Sequence, residues 1–303
     1  MSRLIIIGNG FDLYHGLNSR YSDFRKWLYD NYNDYYVDIM YYNKHGYFGE
    51  LLDENWSNIE NALDLNYEII YQSNDSSNRI INDIYNTFKK LFHEWIAEVE
   101  FSICSNYFHI KKTKLNNIYA DDYFISFNYT NLLKKIYDIS HCHKNGGLHI
   151  YPIHNNTPMC PKDLDDFVNN RDPINDIVFG NINNNNNKID DSLESTFKLT
   201  FSKDTEYIFS KLDSIFLSKI NEKIDEIYVL GHSIDLNNGD YYYFEKLAEK
   251  FSKANWFISF YCDNEYNKDR LHKEKIKRQL SDKFKLNIKI GTIKELMDND
   301  KKI

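Results

Sequence analysis

The sequence predicts an α/β fold: an open, mostly parallel sheet interrupted after its first strand-loop-helix unit by a helical insert. Three observations carry this. A four-residue apolar, β-branched run at 4–7 stops at Gly8, Asn9 and Gly10, as a buried strand does when it leaves a sheet through a tight turn. From residue 122 onward, strand-length apolar runs alternate with helix-period stretches, the pattern of parallel α/β units. Between these regions the apolar residues recur at the helix period, not at the strand period.

The elements follow in order. After the first strand a helix is expected, and 21–36 carries Phe24, Trp27, Leu28 and Tyr32 at helical spacing with Ser22 and Asp23 marking its start. Residues 37–117 read as the insert, in which Ser57 and Glu60 form a capping-box pattern ahead of Leu63, Tyr67 and Ile70. Residues 80–101 alternate apolar and charged positions at the helix period. Residues 123–127 form a strand and 132–139 a helix. Short strands follow at 148–153 and 177–179, and the five asparagines at 183–187 form a surface loop. Residues 209–220 are helical, 227–230 are a buried strand ending in Gly231, and 241–251 a helix. Strand 256–261, helix 268–280 and strand 286–290 complete the chain. The division is therefore 1–36 with 118–303 as a Rossmann-like nucleotide-binding domain, and 37–117 as the helical insert.

Composition narrows the function. The chain has 303 residues, 42% of them hydrophobic, with 37 basic against 45 acidic residues and a net charge of −8. An acidic chain lacks the electrostatic footprint of non-specific nucleic-acid binding, so nucleic acid is not an expected partner. The 38 asparagines and 25 tyrosines are scattered along the whole length, as coding bias would place them. Cys104, Cys142, Cys160 and Cys262 form no CxxC pair, which points to a reducing compartment. No apolar run approaches a membrane span and the amino-terminal run is too short for a signal core, so a cytoplasmic protein without membrane contact is expected.

Ligands of open α/β sheets bind beyond the carboxyl ends of the strands. That rule selects four segments. In the first, the backbone of Gly8, Asn9, Gly10 and Phe11 could cradle a phosphate, with Gly10 admitting it closely, or the segment is a plain turn with Asp12 as a cap. In the second, Ser126, Asn128 and Thr130 end a strand before a helix, where they either cap free amides or, for Asn128, orient a ribose hydroxyl or a water. In the third, His154 ends a strand on the ligand side, where an imidazole can move protons. In the fourth, Gly231 and Ser233 repeat the strand-then-glycine pattern, and Asp240 opens the next helix, a place the helix dipole also favours. His141, Cys142, His143, His149, His154 and Cys160 lie near one another in sequence but give no four-ligand set with two clean pairs, so no metal is expected.

Read together, these segments resemble the bacteriophage abortive infection AbiH family. The likeness lies in residues 6–13, in Gly16, Leu17, Tyr21, Asp23 and Phe24, in Trp56 with Glu60 and Leu63, in residues 124–130, and in Gly231, His232 and Ser233 followed by Asp240 and Tyr243. Asn155 stands where that family usually has a glycine after its histidine. A more distant resemblance is to the sirtuin-like fold, in which a glycine loop, an Asn closing a strand, a histidine and a Gly-x-Ser turn recur in this order. The resemblances imply a phage-defence protein that binds NAD or a related nucleotide as ligand or substrate. In the implied NAD hydrolase, Asn128 orients the ribose and water, His154 acts as base, and Asp12 is the reserve proton acceptor. The alternatives are a non-catalytic nucleotide sensor and an RNA-targeting toxin. The trigger would be phage-derived and of unknown nature. The aromatic-rich insert suits either an internal helical core or an interface in a homo-oligomer.

Overall fold

Three consecutive isoleucines after Leu4 need burial on both faces of a strand, and only a central position in a sheet supplies it. In the computed structural model, which describes residues 2–45, 75–140, 149–153, 205–220, 224–234, 240–261 and 268–298, these residues lie in β1 (Ser2–Ile7), and Leu4 to Ile7 are at most 2% exposed. The other strands are β2 (Tyr123–Ser126), β3 (Ile150–Pro152), β4 (Ile224–Leu230), β5 (Asn255–Phe260) and β6 (Asn287–Thr292). They form one sheet of order β3-β2-β1-β4-β5-β6, and every pairing is parallel. This is the doubly wound order, whose direction of growth reverses at β1 and β4.

Ten helices are described: α1 (Asn9–Tyr14), α2 (Tyr21–Asn31), α3 (Asn33–Lys44), α4 (Asp75–Ser105), α5 (Tyr107–Lys112), α6 (Leu132–Tyr137), α7 (Thr205–Lys211), α8 (Asp240–Lys250), α9 (Lys268–Phe284) and α10 (Ile293–Asp298). Strand alternation sends Leu4, Ile6, Ile125, Ile227, Val229, Trp256 and Ile258 into one core, where they meet Tyr243, Phe244 and Leu247 of α8 and Ile276 and Leu280 of α9. Ile5, Ile7 and Phe124 are equally buried, so the sheet is covered on both sides.

At the amino end of the sheet Arg3 and Asp122 form a buried bidentate pair, with Arg3 Nε donating to Oδ1 at 2.8 Å and Nη2 to Oδ2 at 2.6 Å. The Arg3 guanidinium lies 4.7 Å from the Tyr119 ring centre. This pair ties β1 to the start of β2 at the edge opposite the strand carboxyl ends.

The chain groups into two compact units. One holds the sheet and comprises the described residues of 1–18, 99–171 and 205–303; the other includes the described residues of 19–98. This grouping differs from the sequence division at 19–36 and 99–117. The second unit has its own aromatic core, in which Phe24 meets Phe88 and Phe92 edge-on at 5.3 and 5.0 Å and lies 5.2 Å from Trp95.

Several boundaries depart from the sequence reading. The helix expected over 21–36 is two helices, because Tyr32 leaves the helical region at φ −137° and Asn31 turns its side-chain amide onto the Trp27 carbonyl at 2.9 Å. The helix expected over 209–220 becomes a π-helical turn at Leu212–Phe216 and a 3₁₀ turn at Leu217–Lys219. There Ser214 and Ser218 donate back to the carbonyls of Lys211 and Ser214, which competes with regular helix pairing. The capping-box pattern at Ser57 and Glu60, the strand at 177–179 and the asparagine run at 183–187 lie outside the described residues. Among the described residues no helix is long and apolar enough to cross a membrane.

Candidate functional site

The turn after β1 and the turn after β4 close onto each other. Gly8 N–H donates to the Leu230 carbonyl at 3.0 Å, Gly10 N–H to the Gly231 carbonyl at 2.7 Å, and Phe11 N–H to the Gly8 carbonyl at 2.8 Å. Gly231 sits at φ +71°, and a Cβ there would lie 2.1 Å from Phe11 N. A Cβ on Gly10 would meet the Gly231 Cα and carbonyl oxygen at 2.8 Å. The space beside Gly10 is therefore filled by protein backbone, and three amides of the expected phosphate cradle are engaged within the fold. Asn9 is exposed, and the Phe11 ring is fully buried beside His15 and Tyr137.

Asp12 follows on α1, and here the structure brings three of the sequence candidates together. Its carboxylate is 1% exposed and accepts hydrogen bonds from Asn128 Nδ2 at 2.8 Å and Thr130 Oγ1 at 2.7 Å. Burial pushes its pKa up from 3.8 to about 7; the Thr130 and Asn128 hydrogen bonds oppose that rise, and the negative charge of Glu100 adds to it. A carboxyl raised in this way is a candidate for proton exchange near neutrality.

Asn128 is held on its other side as well. Its backbone N–H donates to Ser126 Oγ at 3.2 Å, while its side-chain Oδ1 is buried with no hydrogen-bond partner among the described residues. Asn128 lines a small pocket with Ser126, Thr130, Asn131, Lys134 and Pro152, at the carboxyl ends of β2 and β3. The pocket's volume of about 20 Å³ admits one water-sized group. The lining also includes Leu133 and Ile150, so the walls are mixed; a buried acceptor such as Asn128 Oδ1 calls for a donor, such as a hydroxyl or a water.

His15 lies one turn from Asp12 but is committed to the fold. A carbonyl can only accept, so Nδ1 donates to the Phe11 carbonyl at 2.8 Å. Nε2 then accepts from the Tyr137 hydroxyl at 2.8 Å, and that oxygen accepts from Leu115 N–H at 3.0 Å. Burial lowers the imidazole pKa to about 4, so the ring stays neutral in this chain of bonds.

The turn after β4 is similarly fixed. His232 Nδ1 accepts from Ile234 N–H at 3.0 Å and Nε2 faces Asp240 Oδ2 at 3.4 Å. Both ring nitrogens are therefore occupied, and His232 cannot serve as base for the neighbouring exposed Ser233. Lys273 of α9, 1% exposed, donates to the carbonyls of His232 and Ser233. Gly231 N–H donates to Ser259 Oγ at 2.7 Å.

Of the remaining candidates, His154, Asn155, His141, Cys142, His143 and Cys160 lie outside the described residues, as do Trp56, Glu60 and Leu63. His149 is described and buried between Tyr123 and Phe124, with ring centres 6.4 and 5.9 Å away. Among the described residues no three His, Cys, Asp or Glu side chains converge as metal ligands do. Sequence reasoning missed His15, Tyr137, Glu100 and Lys273. Buried lysines and histidines carry no periodic signature, and only their distant partners reveal them.

No curated protein and no solved structure matches the chain. The family model described as bacteriophage abortive infection AbiH matches residues 4–81 and 65–260, a span that holds β1 from Leu4 onward, β2 to β5 and every member of the Asp12 cluster. The chain belongs to the bacteriophage abortive infection AbiH family, and its role is in abortive-infection defence against phage.

Proposed function

We propose that the protein binds NAD or a related nucleotide at the carboxyl edge of its sheet and hydrolyses NAD during phage infection. The observation that supports this reading is the buried Asp12 carboxyl, whose pKa burial raises to about 7, held by Asn128 and Thr130 beside an unsatisfied Asn128 Oδ1. The sheet order adds support, since doubly wound sheets hold dinucleotides at this edge.

In the reaction, the ribose C1′–nitrogen bond breaks and its electron pair leaves with nicotinamide. A water oxygen bonds to C1′, giving ADP-ribose. Asn128 Oδ1 accepts a hydrogen bond from the ribose hydroxyl or the attacking water and so fixes its direction. Asp12, in its ionised form, takes the proton that water loses. The sugar passes through an oxocarbenium-like state, so positioning and a nearby negative charge supply most of what the protein must provide. His154 stands as a second candidate for the proton-accepting role.

Incubation of the purified protein with NAD, followed by chromatography for free nicotinamide, tests the proposal. Wild type releases nicotinamide, while Asn128→Ala and Asp12→Asn release it at least about a hundredfold more slowly. An Asn128→Ala protein that still protects cells, with NAD constant through infection, would favour a non-catalytic nucleotide sensor.

A further inference from the structure

We propose that Glu100, near the carboxyl end of α4, is a positioning residue of this site: through Asn131 it fixes the loop that aims Asn128 and Thr130 at Asp12. The inference deepens the reading of the Asp12 cluster as the reacting site and rests on it.

The geometry is specific. Glu100 Oε1 accepts from both the backbone N–H and the side-chain Nδ2 of Asn131, each at 2.7 Å. Asn131 follows Thr130 directly and precedes α6, so one carboxylate oxygen fixes the end of the loop 127–131. Lys135, one turn into α6, donates from Nζ to the Glu100 backbone carbonyl at 2.9 Å and lies 3.7 Å from Oε2. The loop and the first turn of α6 are thereby clamped to α4 at one residue. The start of the loop is held by Phe127 N–H, which donates to the Ile7 carbonyl at 2.9 Å, and Asn128 bonds to Ser126 and Asp12; the Glu100 clamp secures the loop's far end.

Charge is the second link. Glu100 favours the protonated form of Asp12, adding to the larger effect of burial. The titratable groups on the elements around Asp12 are few. On α1 they are Tyr14 and His15, the latter held neutral. On α6 they are Tyr137, whose hydroxyl burial keeps protonated, Lys135, which lies across the Glu100 carboxylate, and the exposed Lys134, which lines the Asn128 pocket; the loop itself carries Tyr129. The turn after β4 brings the His232–Asp240 pair. Asn128 and Thr130 are neutral donors. Of these groups, Glu100 alone pairs its charge effect on Asp12 with a hydrogen bond to the loop that carries Asp12's donors.

The two links separate by substitution. Glu100→Gln keeps an acceptor oxygen for Asn131 and removes the charge; Glu100→Ala removes both. The measurement is the titration of the Asp12 side-chain carboxyl by carbon NMR, assigned through its loss in Asp12→Asn, together with amide hydrogen exchange at Asn131, all without nucleotide. In Glu100→Gln the Asp12 midpoint falls below that of wild type while Asn131 exchange stays near the wild-type rate. In Glu100→Ala the exchange at Asn131 accelerates by about tenfold or more, the loss of a charge-assisted hydrogen bond. An unchanged Asp12 midpoint in Glu100→Gln, or unchanged Asn131 exchange in Glu100→Ala, overturns the proposal. If both shifts appear and yet no variant, wild type included, releases nicotinamide, Glu100 keeps its positioning role and NAD hydrolysis falls instead.

Discussion

Asp12→Asn should make this protein more stable at pH 8 while abolishing the proposed release of nicotinamide. The folded chain holds the Asp12 proton up to about pH 7, whereas the unfolded chain releases it near the ordinary value of 3.8. Between those two values the native state binds the extra proton, so stability falls as pH rises through the window and levels off above it. A rise of about 3 units corresponds to roughly 4 kcal/mol of native stability forfeited at pH 8, an upper bound for a group this deeply buried. Asparagine mimics the protonated carboxyl: it accepts from Asn128 as Asp12 does, and Thr130 can rotate its hydroxyl to accept from the new amide. The variant should therefore unfold at up to about 8 °C above wild type at pH 8, with the gap closing toward pH 4 to 5. The assay is thermal unfolding by circular dichroism at half-unit intervals of pH. A gap that does not change with pH, or a variant less stable at pH 8, would refute the placement of Asp12 as a buried group ionising near neutrality.

The other expectations are briefer. Asn128→Ala should lower nicotinamide release by about 10²- to 10⁴-fold, the worth of an orienting or proton-moving group, with phage protection lost alongside it in an infection assay. Thr130→Val removes one of the two donors to the Asp12 carboxylate, so carbon NMR should show the Asp12 midpoint higher than in wild type. Gly10→Val, on sequence grounds a ligand-blocking change, should instead unfold the protein, since its side chain meets Gly231 backbone; a variant melting like wild type in a thermal scan would contradict this. Lys273→Met strips a buried donor from the His232 and Ser233 carbonyls and should reduce stability by about 1 to 3 kcal/mol in urea unfolding.

Much of the sheet was legible because parallel strands are short, apolar and β-branched, and 4–7, 123–127 and 227–230 have no other plausible state. Asp12, Asn128 and Thr130 were legible by position, at strand ends on the ligand side. Their direct contact was not, since the hydrogen bonds join residues 116 and 118 positions apart. The glycine pairs show the same limit: Gly10 reads as an opening for a ligand until Gly231 is placed against it. α10 was missed although its signal is present. Thr292 and Glu295 form a capping box in which Thr292 N–H donates to Glu295 Oε2 at 2.8 Å, a spacing visible in the sequence just after the last strand. The break between α2 and α3 depends on two asparagines around Tyr32, in a chain where asparagine is too frequent to mark a boundary.

The central place of β1 governs when the molecule can complete itself. Its residues pair on one side with 123–126 and on the other with 224–230, more than 200 positions downstream. At typical synthesis rates of about 5 to 20 residues per second, β4 follows β1 by an interval on the order of tens of seconds. Through that interval one edge of the most apolar strand lacks its neighbour, and the turn at Gly231 that receives Gly10 does not yet exist. α1, and with it Asp12, gains its contact with the turn at Gly231 only after that residue has been made. A nascent chain interrupted earlier carries Asp12, Asn128 and Thr130 without the backbone that sets α1 in place, so the order of synthesis itself delays assembly of the Asp12 cluster.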